Sequence, residues 1–89
     1  MNPTLRAHLR ELYQTRRYTD AIPLLLLELS HSDTSECWND WAALQFQLNQ
    51  KEEAEAGFRI ALEKDPGNLQ SALNLGALLL SDEIGRAHV

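Results

Sequence analysis

The chain is predicted to be all-α, built of antiparallel helical hairpins stacked as a short solenoid of about two and a half repeats and five helices. Three observations point there. Ala21 and Ala54 each begin an apolar stripe at helical spacing, so the first stripe recurs in the second. The interval between them matches a period of about 34 residues with two helices per unit, which marks a stacked helical array. Asn49 and the Asp65-Pro66-Gly67 run punctuate the stripes where hairpins have to turn.

The first helix is expected over about Pro3 to Gln14, with Leu5, Leu9, Leu12 and Tyr13 on its inner face. A second follows from about Tyr18 to Ser30, with Ile22, Leu25, Leu26 and Leu29 as its stripe. Pro23 lies near the start of that helix, where the first four N–H groups lack intrahelical partners anyway. Leu24 and Leu27 are left over on the outside and suggest a contact. The third helix starts at Asp33-Thr34-Ser35-Glu36, a capping-box-like entry with Glu36 three residues after Asp33, and runs to about Leu48. Asn49 suits the reversal because it tolerates a left-handed backbone. The fourth helix, about Lys51 to Lys64, buries Ala54, Gly57, Phe58, Ala61 and Leu62, and its outer face pairs Glu55 with Arg59 and Arg59 with Glu63. Asn68 can cap a fifth helix running through Leu80.

The units so defined are residues 2–34, 35–68 and 69–81, the last being half a hairpin. Within the second, Trp38, Trp41, Ala42, Ala54, Phe58, Ala61 and Pro66 fall on the pattern W-x2-L-G-x2-Y…A-x3-F…P, with Trp41, Ala42 and Gln45 replacing Leu, Gly and Tyr. This unit resembles a tetratricopeptide repeat. Asn74-Leu75-Gly76, one period on from Asp40-Trp41-Ala42, matches the Leu-Gly step, and the first unit keeps Ala21 and Leu25 but has Glu28 in place of the second unit's Ala61. The resemblance implies a right-handed solenoid and a protein-interaction role.

In that family the first helices of successive units line a concave groove. By register, the groove here presents Arg6, Arg10 and Tyr13, then Asn39, Asp40, Ala43 and Phe46, then Asn74 and Ala77. Such a mixture suits an extended peptide: Arg and Tyr for an acidic or aromatic side chain, Phe46 for an apolar one, Asn39 or Asn74 for the backbone. Asp40, Gln70 and Asn74 occupy the positions at which chaperone-binding relatives clamp a C-terminal carboxylate, so no such clamp is expected. The alternative is that the repeats recruit substrates for a longer enzyme such as a bacterial glycosyltransferase, whose attached repeats share the Asn-Leu-Gly step.

Composition narrows the remaining classes. With 44% hydrophobic and 24% charged residues the chain is ordinary for a soluble domain. Its net charge is −5; residues 1 to 34 balance four basic against four acidic side chains, while residues 35 to 66 carry three against seven. That argues against nucleic acid, including RNA bound as the related pentatricopeptide repeats bind it, because phosphate contacts need clustered Lys and Arg. Leu24-Leu25-Leu26-Leu27 is far too short for a membrane span. The polar N-terminus and a single Cys37 fit a cytoplasmic protein. His8, His31, His88 and Cys37 lack metal-ligand spacing, no catalytic grouping stands out, and no cofactor or metal is implied. Trp38 and Trp41, three apart, are expected to pack in the core.

The segment 82–89 is expected to be non-native. Ile84-Gly85-Arg86-Ala87-His88-Val89 resembles the translation of a sequencing adapter, and the natural chain is expected to continue past about Glu83. Leu75, Leu78 and Leu79 on the last helix are then expected to lack cover, leaving a face through which the chain self-associates.

Overall fold

The computed structural model describes residues 3–87, with side chains described for residues 3–81. Among them run α1 (Pro3–Gln14), α2 (Tyr18–His31), α3 (Ser35–Gln47), α4 (Lys51–Lys64) and α5 (Leu69–Ala87). The fold is all-α. Helices pack in chain order, each on the next, and α3 also touches α5 across α4. That order is consistent with stacked hairpins, and the molecule measures 43 × 30 × 17 Å, so it is about two helix diameters thick.

The two hairpin turns are built alike, one repeat apart. Arg16 (φ 59°) and Asn49 (φ 63°) are both left-handed. Each donates its N–H three residues back, to Tyr13 O at 3.1 Å and Phe46 O at 3.0 Å, and the following residue reaches five back, Arg17 to Leu12 O and Gln50 to Gln45 O, both at 2.8 Å. These are the paired bonds of a Schellman turn. Asn49 takes the role its side chain allows. Arg16 has no such local tolerance and adopts the conformation because the flanking helices impose it.

At the start of α3 the cap differs from the expected one. Thr34, extended at φ −108° and ψ 159°, accepts from the Cys37 N–H. Asp33 stands one residue too early to cap and instead takes the Trp38 indole N–H and the Lys64 ammonium, the latter at 2.9 Å. Trp38 is therefore half-buried at the rim, whereas Trp41 packs against the core as expected. After α4, Asp65 Oδ1 accepts the Gly67 N–H at 3.0 Å and the chain turns. Asn68 then caps α5, its Oδ1 taking the Ser71 N–H at 3.1 Å. Its amide also donates to Ser35 Oγ, which donates in turn to Ala61 O, both at 2.7 Å, and so ties the starts of α3 and α5 to the end of α4.

Two apolar clusters form the interior. Leu9, Leu12, Ala21, Leu25 and Leu44 join α1, α2 and α3, while Ala42, Ala54, Phe58 and Leu78 join α3, α4 and α5. The inner face of α2 is centred between Ala21 and Leu25, both fully buried. At about 100° per residue this brings Leu24 to the edge of the core and swings Leu26 out. Leu24 is accordingly half-buried and Leu26 exposed, the reverse of the expectation; Leu27 is exposed as expected.

The hairpins differ in how closely their helices approach. In the second, a Cβ built on Gly57 would lie 2.8 Å from Ala42 Cβ, so α3 and α4 touch almost backbone to backbone. One repeat earlier the equivalent pair is Leu9 and Leu24, and those side chains hold α1 away from α2.

The last helix does not end near Leu80; it runs to Ala87. Nothing in Ser81-Asp82-Glu83-Ile84 breaks a helix. The expected change of character over 82–89 falls on side chains outside the described ones. On α5 the open residues also differ from those expected: Leu78 is buried and Leu75 half-buried against α4, while Leu69, Leu73 and Leu80 are exposed, with Leu79 at the margin.

Candidate functional site

Arg6, Arg10 and Tyr13 project from one side of α1 at i, i+4 and i+7, and Asn39, Ala43 and Phe46 take the same places one repeat on in α3. Asp40 lies beside them, and Asn74 and Ala77 repeat Asp40 and Ala43 on α5. The nine residues line two adjoining clefts. The larger, about 530 Å³, has Leu9 and Leu25 in its floor, Arg6, Arg10 and Tyr13 on the α1 side, Asn39 and Asp40 on the α3 side. The smaller, about 180 Å³, holds Ala43, Phe46, Asn74 and Ala77 against Phe58.

The larger cleft exists because α1 stands apart. No Cα of α1 comes within 8 Å of one in α3, whereas α3 and α5 do make such approaches. Across that gap the Tyr13 hydroxyl donates to the Asp40 backbone carbonyl at 3.3 Å. Burial, then the neighbouring Asp40 charge, holds the Tyr13 phenol well above its ordinary pKa, so it stays a donor. Tyr13 also meets Tyr18 edge to face at 5.7 Å, which fixes its ring.

Asn39 and Asn74 meet where the two clefts adjoin. Asn39 Oδ1 accepts from Asn74 Nδ2 at 3.2 Å and from the buried Ser71 hydroxyl at 2.9 Å, and Asn74 Oδ1 accepts from Gln70 at 3.3 Å. Asn74 is thereby oriented, and it keeps a second amide hydrogen that can donate to a ligand backbone. The Asn39 amide N–H2 has no hydrogen-bond partner among the described residues and can donate to a carbonyl laid across the boundary.

Charge is divided across the larger cleft. Arg6 and Arg10 are exposed on one wall; Glu36 and Asp40, one helical turn apart, stand on the other. Burial pushes the Asp40 carboxyl above the ordinary aspartate range, Glu36 pushes the same way, and Arg6 pulls it back. Its stabilising contribution is therefore full when it is protonated, below the unfolded pKa, and is lost as pH rises through the raised folded value. Asp40→Asn is expected to raise the urea midpoint at neutral pH, with the gain vanishing on acidification. Melts at neutral and acidic pH check this, and a lower midpoint for the variant at neutral pH would show that Arg6 outweighs burial.

Glu36, Asn68 and Gln70 also line the larger cleft and were not anticipated. Glu36 carried a signal, since it precedes Asp40 by one turn. Gln70 carried the same signal, since it precedes Asn74 by one turn and stands one period after Glu36; Asn68 carried none, because it caps α5 and reaches the cleft only through the contact of α5 with α3. Among the described residues no three His, Cys, Asp or Glu side chains are grouped to hold a metal, and no helix is long and apolar enough to cross a membrane. Cys37 is buried and unpaired.

Fold and face together define an all-helical protein with a mixed polar and apolar groove on one side. No family model, curated protein or solved structure matches the chain.

Proposed function

We propose that the chain is a tetratricopeptide-like interaction module that acts by binding rather than catalysis, taking an extended protein or peptide segment along α1, α3 and α5. The single observation that supports this is the convergence of Arg6, Arg10, Tyr13, Asn39 and Asp40 on one cleft and of Ala43, Phe46, Asn74 and Ala77 on the next. The favoured segment places an acidic side chain between Arg6 and Arg10, offers a backbone carbonyl to the Asn39 amide, and sets an apolar side chain against Phe46 and Phe58. The setting is taken as cytoplasmic, where the buried unpaired Cys37 stays reduced.

Selection from a displayed random-peptide library tests the proposal. Enriched peptides are expected to carry an acidic residue at a fixed spacing from an apolar one. Arg10→Glu, at an exposed position, and Ala77→Arg, which fills the smaller cleft from an exposed position, are each expected to weaken them at least about tenfold, or ~1.4 kcal/mol. Peptides that bind both variants as tightly as the unaltered chain would move the site elsewhere, and no enrichment at all would remove the proposal.

A further inference from the structure

The larger cleft keeps charges of opposite sign that do not meet. Arg6 and Arg10 stand one turn apart on the α1 wall, Glu36 and Asp40 one turn apart on the α3 wall. Among the described residues the ion pairs formed are Arg17 with Asp20, Arg59 with Glu55 and Lys64 with Asp33, and none of these crosses the cleft. Asp40 feels the field of Arg6, yet α1 stands too far from α3 for the two walls to close on each other.

The acidic wall also has space behind it. Arg6, Glu36 and Asp40 border a further recess, of about 360 Å³, that reaches Asp65 at the end of α4. One Asp65 oxygen takes the Gly67 N–H, and among the described residues the other accepts no hydrogen bond. A long side chain laid against Glu36 and Asp40 has room to extend there.

A segment acidic throughout would satisfy Arg6 and Arg10 but set its remaining charge against Glu36 and Asp40, and a basic one would do the reverse. In an extended chain successive side chains point to opposite sides. Neighbouring residues lying along the cleft thus face opposite walls.

We propose, resting on the peptide-binding role of the groove, that the larger cleft selects two neighbouring residues of opposite charge. The acidic one pairs with Arg6 and Arg10 and the basic one with Glu36 and Asp40, in a segment whose apolar side chain enters the smaller cleft. Such a pair carries no net charge, so the chain's net charge of −5 neither attracts nor repels it as a whole. Recognition depends on which wall each charge faces.

Peptides selected from the displayed random library test this. Enriched sequences are expected to hold Asp or Glu directly beside Lys or Arg, at a fixed distance from an apolar residue. One such peptide is then synthesised and titrated calorimetrically into the unaltered chain, Arg10→Glu and Glu36→Lys, both substitutions being at exposed positions. Each variant is expected to bind at least about tenfold more weakly. Replacing the peptide's basic residue by Glu rescues binding to Glu36→Lys, and replacing its acidic residue by Lys rescues binding to Arg10→Glu, whereas the crossed exchanges rescue neither. Selected peptides that are weakened by Ala77→Arg but carry charge of one sign, or that bind Glu36→Lys undiminished, overturn this inference and leave the groove itself standing. Failure of either rescue also overturns it, and a library that yields no enriched peptide removes both the charge pairing and the groove.

Discussion

Phe58→Ala is expected to lower the stability of the fold by about 3–5 kcal/mol, the cost of deleting a buried aromatic ring together with the cavity it leaves. Phe58 is 1% exposed and is among the largest fully buried side chains. It projects from α4 into the cluster that α3 and α5 share, against Ala42, Ala54 and Leu78, with Ala43, Phe46 and Leu75 around it. Three of those six neighbours are alanines, which cannot reach into the vacated space. Domains are typically stable by only about 0.05–0.15 kcal/mol per residue, so a loss of this size brings a chain this short to the edge of unfolding. Urea denaturation followed by far-UV circular dichroism measures the effect. A midpoint close to that of the unaltered chain would mean that α5 does not rest on α4 through this ring.

Gly57→Val is expected to cost about 3 kcal/mol, although local preference favours replacing a glycine inside a helix. Helix propensity alone credits even Gly57→Ala with about 1 kcal/mol of added stability. Geometry overrules it. The first added carbon would sit 2.8 Å from Ala42 Cβ and 3.4 Å from both Ala42 Cα and Trp41 Cδ1. Carbon atoms prefer about 3.5–4.0 Å, and Ala42 has no flexible end to move aside, so α3 and α4 have to part. Valine adds two methyl groups to that collision. Gly76→Ala is the control: it lies in open space and is expected to gain close to the full propensity difference when measured at dilution. Opposite signs for alanine at Gly57 and Gly76, read as urea midpoints, are the outcome that separates packing from propensity.

Element boundaries were legible where the chain carries its own punctuation. Pro3, Asn49, Asp65-Pro66-Gly67 and Asn68 mark starts and stops by what their backbones and side chains permit, and α1 and α4 span the expected residues. Phase was not legible within Leu24-Leu25-Leu26-Leu27, because four identical side chains satisfy any rotation of the helix. Packing of Ala21 and Leu25 decided it. Termination of α5 was missed for the converse reason, since a repeat-based expectation of a turn met residues that do not break a helix. For the groove, the repeat put all nine side chains on one face. What it did not reveal was how far apart the helices stand. That spacing depends on pairs remote in sequence, Leu9 with Leu24 and Ala42 with Gly57, and it makes one cleft wide and the other narrow.

The Asn39, Ser71 and Asn74 cluster is a ruler for the stack. Ser71 is fully buried, and its hydroxyl finds its acceptor only when α5 lies against α3 at one height. A slip by one turn would strand that hydroxyl and the Asn39 carbonyl, at about 1–3 kcal/mol for each unsatisfied group, whereas a purely leucine seam would slide with little penalty. The seam thus trades adhesion for alignment. Because the boundary between the two clefts is made of the same side chains, the distance from the arginine pair to the phenylalanine pocket is calibrated by the joint itself.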